Sequence, residues 1–138
     1  MVVSQERSGW RDEWISQKHR DWGFNCPAVD IDFLVIEYDF EVPRALIEYK
    51  YITADLNKSK SGIRALMNLA NIAKVPFFIV IYNHSPPSFK IIPKNKYAQE
   101  SKPEKTLCLT EYEYVSFLYE LRGRSIPANI YEKLFGDN

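Results

Sequence analysis

Apolar and polar positions along this chain change period several times, and each change marks an element. Trp14, Ile15, Lys18 and Trp22 suit a short helix from about Arg11 to Asp21. It ends at Gly23, where a residue without Cβ takes the left-handed C-cap conformation. Ile31 to Tyr38 is rich in β-branched and aromatic residues, Asp39 to Pro43 turns the chain, and Arg44 to Tyr51 runs back. This pattern predicts an antiparallel hairpin. After a polar stretch from Asp55 to Ser61, the residues Ile63, Leu66, Met67, Leu69, Ala70 and Ala73 recur at helical spacing, and Pro76 ends the run. Phe77 to Tyr82 is almost continuously apolar, as expected of a strand buried on both faces of a helix-covered sheet. Ser88 to Ile92 predicts one more strand. Thr110 caps a helix through Leu121 that stops at Gly123, and a last short helix covers Ala128 to Leu134. An initial strand near Cys26 to Val29 is the least marked element.

The order helix, hairpin, helix, buried strand, further strand, helix implies an α/β sandwich with a mixed central sheet flanked by helices. With 138 residues and 46% hydrophobic content, one domain with one sizeable core is expected, spanning 1–138 with a core at about 10–95 and a C-terminal helical part at 110–135. The first residues turn polar early and the longest apolar run is short, so a cytoplasmic protein is expected. Cys26 and Cys108 lie far apart and outside any CxxC spacing, which leaves a disulfide framework or a zinc ribbon without support.

Formal net charge is zero, but the charge is segregated. Residues 1–48 hold five Lys/Arg against ten Asp/Glu, a net of −5. Residues 49–74 carry a net of +4 and residues 88–105 a net of +3. An acidic front that collects a cation beside a basic middle that meets phosphate fits a metal-dependent enzyme on nucleic acid, and it equally fits ordinary solvated surface.

Strand side chains alternate faces, so Glu48 and Lys50 share one face, as do Asp30 and Asp32 on the preceding strand. If paired residue numbers sum to about 80, Asp32 lies opposite Glu48 and Asp30 opposite Lys50, with Cβ atoms roughly 5 Å apart. Mg²⁺ takes one or two carboxylates plus waters at about 2.1 Å. A pair from adjacent strands supplies that, and the backbone carbonyl of Tyr49 is a further candidate ligand. Such a cation acidifies its water and offsets charge building on a phosphate, and Lys50 is placed to hold the attacking water. The same face continues as Leu34, Ile36 and Leu46, where unpaired charge is costly. A cross-strand salt bridge among Asp30, Asp32, Glu48 and Lys50 is the competing reading.

An acid at the start of an apolar strand, a turn, and then Leu46-Ile47-Glu48-Tyr49-Lys50 on the returning strand resembles the PD-(D/E)XK nuclease superfamily, over roughly residues 10 to 82. That superfamily includes restriction enzymes, Holliday-junction resolvases and phage or mobile-element nucleases. The resemblance implies a restriction endonuclease-like αβββαβ-type sandwich and Mg²⁺-dependent (or Mn²⁺-dependent) hydrolysis of phosphodiesters. It also implies metal ligation by Asp32 and Glu48, with Lys50 assisting the nucleophile. No proline directly precedes the acid, since Pro27 lies three residues before Asp30 and five before Asp32. Asp32 is chosen over Asp30 because the apolar strand follows it at once. No Gln-x-x-x-Tyr follows Lys50 on the next helix, which argues against the branch that processes DNA ends in helicase complexes.

Glu13, on the first helix, is a candidate additional carboxylate. Lys58, Lys60 and Arg64 are candidate phosphate contacts near the positive end of a helix, and His19 is a further DNA-contact candidate. Tyr112, Tyr114, Phe117, Leu118 and Leu121 are expected in a core or a dimer contact. The function expected is an endonuclease on double-stranded or branched DNA, acting as a homodimer because cutting two strands needs two sites. The alternative is a non-catalytic nucleic-acid-binding or assembly protein that keeps the fold.

Overall fold

The computed structural model describes residues 13–23, 31–53, 60–101 and 108–136. The chain divides into two compact units, Met1–Asp30 and Ile31–Asn138, and each is taken by itself. The first contains α1 (Glu13–Asp21). Within it Gln17 donates to Asp21 at 2.9 Å, the Lys18 ammonium sits 5.4 Å from the centre of the Trp14 ring, and Gly23 adopts the left-handed conformation expected of it, with φ of 75°. The expected strand near Cys26 to Val29 lies outside the described residues.

In the second unit β1 (Phe33–Glu37) is followed by a 3-10 turn at Tyr38–Phe40 and by β2 (Val42–Tyr51). Then come α2 (Lys60–Ala73), β3 (Phe77–His84), β4 (Pro87–Pro93), α3 (Lys96–Ser101), α4 (Glu111–Leu121) and α5 (Ala128–Phe135). The four strands form one mixed sheet in the order β1-β2-β3-β4. β1 and β2 are antiparallel, β2 and β3 are parallel across the α2 connection, and β3 and β4 are antiparallel. A parallel pair needs such a crossover, because a tight turn cannot return the chain in the same direction. Among the described residues, no helix is long and apolar enough to cross a membrane.

The sheet is covered on both faces. On one, Ala45, Ile47, Phe78, Val80 and Ile91 pack with Ala98 of α3 and with Tyr114 and Phe117 of α4. On the other, Leu46, Phe77 and Ile79 pack with Leu66 and Ala70 of α2. This explains why β3 carries apolar residues at consecutive positions: Phe77, Phe78, Ile79 and Val80 are buried alternately toward α2 and α4. Each large side chain so buried stabilises the fold by roughly 1.5–3 kcal/mol relative to exposure.

Local chemistry fixes the helix ends. Thr110 caps α4 in a reciprocal box, accepting from the Glu113 amide at 3.2 Å while the Glu113 carboxylate accepts from the Thr110 amide at 2.9 Å. At the end of α2, Lys74 has φ of 60°, and the amides of Lys74 and Val75 donate to Asn71 and Ala70. This is a Schellman closure with lysine where glycine is usual.

A helix and an ion network are among the features that were not apparent in the sequence. The helix α3 is one, and it is set by Asn95, whose Oδ1 accepts from the Phe77 and Ala98 amides while its Nδ2 donates to Asn71 Oδ1 and the Val75 carbonyl. The other is an ion network in which buried Glu37 meets Arg124 at 2.6 Å and Arg122 at 3.3 Å, tying the end of β1 to the segment after α4. Burial pushes the Glu37 carboxyl upward, but the Asp39 amide and the two guanidiniums outweigh it and hold the group below its usual range.

Candidate metal and phosphodiester site

The site is built by the hairpin. Its pairing brings Phe33 opposite Ile47, Leu34 opposite Leu46 and Val35 opposite Ala45, so residue numbers sum to 80, the condition under which Asp32 faces Glu48. A bulge between Val35 and Ile36 shifts the register farther along, at the turn end. Continued one step past Phe33, the same register puts Asp32 across from Glu48.

Backbone direction completes the placement. The amides of Leu46 and Ile52 donate toward the β3 side, to Pro76 and Tyr82. Alternation therefore turns the Tyr49 amide and carbonyl toward the β1 side. Because β1 begins only at Phe33, the Asp32 carboxylate takes that amide, with Tyr49 N–H donating to Oδ2 at 3.1 Å. The Tyr49 ring points to the opposite face, where its hydroxyl lies 2.5 Å from that of Tyr114 and its ring meets Phe33 edge-on at 5.2 Å. Burial, more than any other cause, raises both tyrosine hydroxyls above the usual phenol range. Tyr49 is thus held from α4 on one side and holds Asp32 on the other.

Glu48 and Lys50 lie on the α2 face, with Lys50 Nζ 3.5 Å from Glu48 Oε2 and both side chains less than one-fifth exposed. The second oxygen, Glu48 Oε1, is buried and has no hydrogen-bond partner. Burial raises the Glu48 carboxyl above its ordinary value, and the Asp32 charge raises it further against the opposing pull of Lys50. A half-buried carboxylate pair with one orphaned oxygen is the donor set a hard divalent cation satisfies. Among the described residues no group of three or more His, Cys, Asp and Glu side chains gathers that could hold a metal ion.

The apolar floor beneath the pair is only partly closed. Leu46 is buried, but Leu34 and Ile36 on the outer strand are 45% and 37% exposed, because β1 is the edge of the described sheet and α2 packs over β2 and β3. The start of α2 lies at the end of the sheet that carries Glu48 and Lys50, since the connection leaves β2 just beyond Tyr51. Arg64, one turn into α2, is exposed there.

Other residues singled out in the sequence fall differently. Asp30 and Lys58 lie outside the described residues, as do the side chains of Glu13 and Lys60, which sit at the first positions of α1 and α2. His19 is on α1 with its ring edge-on to Trp22 at 5.0 Å. Tyr114 and Phe117 are buried in the core, whereas Tyr112 is 46% exposed and meets Tyr131 and Phe135 edge-on. The Tyr49–Tyr114 support joins residues 65 positions apart and leaves no local signal in the sequence. No protein-family model, curated protein or solved structure matches this chain.

Proposed function

We propose that this chain is a metal-dependent endonuclease of the PD-(D/E)XK type that hydrolyses DNA phosphodiester bonds. The observation that carries the reading is the orphaned, buried Glu48 Oε1 beside Asp32, with Lys50 on the same strand face. The element order β1, β2, α2, β3, with the two acids and the lysine at one end of the sheet, supports a restriction endonuclease-like core.

In this reading Asp32 and Glu48 hold Mg²⁺ (or Mn²⁺), joined by the Tyr49 carbonyl. The cation supplies charge neutralisation at the phosphate and acidifies water. Tyr49 keeps the Asp32 carboxylate oriented through its amide, so the acid is positioned before a ligand arrives. Lys50, now within 3.5 Å of Glu48, donates to the attacking water and to a phosphate oxygen. Arg64, exposed one turn into α2, meets flanking phosphates near the positive end of that helix. Cutting duplex or branched DNA on both strands calls for a homodimer, and the setting is cytoplasmic.

The test is cleavage of supercoiled plasmid, linear duplex, single strand and four-way junction with Mg²⁺ or Mn²⁺. Metal-dependent cutting identifies the substrate class; absence of cutting on every substrate refutes the proposal. A second reading, a non-catalytic nucleic-acid-binding or assembly protein, draws on the ion pair that already engages Lys50 and on the zero net charge. It predicts binding without cleavage.

A further inference from the structure

On the α2 face of the sheet, Lys50 of β2 and Lys90 of β4 lie at one level, with the apolar Ile81 of β3 between them. Glu48, Ile79 and Ile92 share the preceding level, where Ile79 and Ile92 belong to the apolar layer against α2, and one step nearer the sheet's end lie Lys50, Ile81 and Lys90. Lys50 is in register with Ile81, and Ile81 with Lys90. Registered neighbours point to the same side of a sheet, and Lys90 is two positions from Ile92 on one strand, so Lys90 shares the face of Glu48 and Lys50. Two strand spacings, on the order of 10 Å, separate the backbones of the two lysines.

Lys90 is exposed, and among the described residues no carboxylate pairs with it. The face beside it on β3 is occupied by Phe77, Ile79, Ile81 and Asn83, none of them charged. A cation with no counterion among the described residues, in line with the lysine of a carboxylate site, suits a ligand whose negative charges repeat at intervals of a few ångströms. A phosphodiester backbone is such a ligand.

We propose that Lys90 is a phosphate-binding residue of this site, taking a backbone phosphate beyond the one that Lys50 meets, so that the DNA strand crosses β2, β3 and β4 on the α2 side. This rests on the nuclease reading. Lys90 does not touch the reacting atoms; it sets where the strand lies.

The experiment is equilibrium binding of a fluorescent DNA duplex to the full chain with Ca²⁺ in place of Mg²⁺, titrated with KCl, together with cleavage kinetics in Mg²⁺. Lys90→Ala is expected to weaken binding about tenfold at low salt and to reduce the slope of log K against log salt by about 0.9. Its kcat at saturating DNA stays at the wild-type value, and Lys90→Arg restores the slope. Lys90→Gln serves as the second neutral variant if the alanine protein melts early. Wild-type binding and cleavage with an unchanged slope in a folded neutral variant overturns the role of Lys90 alone. Neither binding nor cleavage by the wild type overturns the nuclease reading along with it.

Discussion

The backbone amide of Tyr49 donates to the carboxylate of Asp32, 17 residues away, at 3.1 Å. An amide that a longer β1 would have claimed for the sheet is instead spent on orienting an acid. That acid faces Glu48, whose own carboxyl is raised by burial and by the Asp32 charge. The pair is therefore under electrostatic stress in the metal-free protein, and its relief distinguishes a ligand-binding site from a salt bridge.

Asp32→Asn keeps an acceptor for the Tyr49 amide while removing the negative charge. Like charges facing each other across strands cost about 0.2–1 kcal/mol, so the metal-free variant is expected to be as stable as wild type or more stable by about that amount. Denaturant melts in EDTA measure this. A salt-bridge role for Asp32 predicts a loss of stability instead.

The raised Glu48 carboxyl gives a pH dependence of definite sign. In the native state it holds its proton more tightly than in the unfolded chain, so its contribution is fully present below the ordinary carboxylate value. It is lost as pH rises through the raised value. Mg²⁺ must displace the same proton, so its stabilising effect grows with pH across that window. Melting temperatures between about pH 5 and pH 8, with EDTA and with saturating Mg²⁺, should diverge as pH rises. Glu48→Gln should abolish the divergence.

Asn95 satisfies four groups at once, among them the buried amides of Phe77 and Ala98. Asn95→Ala leaves those donors unpaired and is expected to cost about 2–4 kcal/mol, with α3 lost first. Thermal melts and amide exchange on β3 and α3 read both effects.

Lys74 holds a left-handed conformation at the end of α2, with φ of 60°. Glycine adopts it without the Cβ clash, so Lys74→Gly is expected to stabilise the fold by about 0.5–1 kcal/mol, measured by urea denaturation.

The elements themselves were legible because periodicity reports burial directly. The β-branched and aromatic runs from Ile31 to Tyr51 and the apolar run from Phe77 placed the hairpin and the central strand, and Thr110 as a cap marked the start of α4. What the sequence hid depends on contacts between distant residues. The α3 turn exists because Asn95 reaches back to α2 and β3, and Glu37 is tolerated in an apolar strand because Arg122 and Arg124 arrive about 85 residues later. The bulge after Val35 likewise leaves no mark in composition. At the site, residue spacing brought Asp32, just ahead of β1, together with Glu48 and Lys50 of β2, but did not show the Tyr49 amide bond or the orphaned Glu48 oxygen. Those follow from where β1 begins and from how deeply β2 is packed.

Nicking of supercoiled plasmid in Mg²⁺, with wild type, Asp32→Asn and Lys50→Ala side by side, tests whether Asp32, Glu48 and Lys50 form a hydrolytic site. Nicking by the wild type that EDTA abolishes is expected, with a fall of about 100-fold or more in both variants and with the melting temperature of Asp32→Asn preserved. Equal nicking by all three proteins, or none by the wild type with either metal, would contradict it.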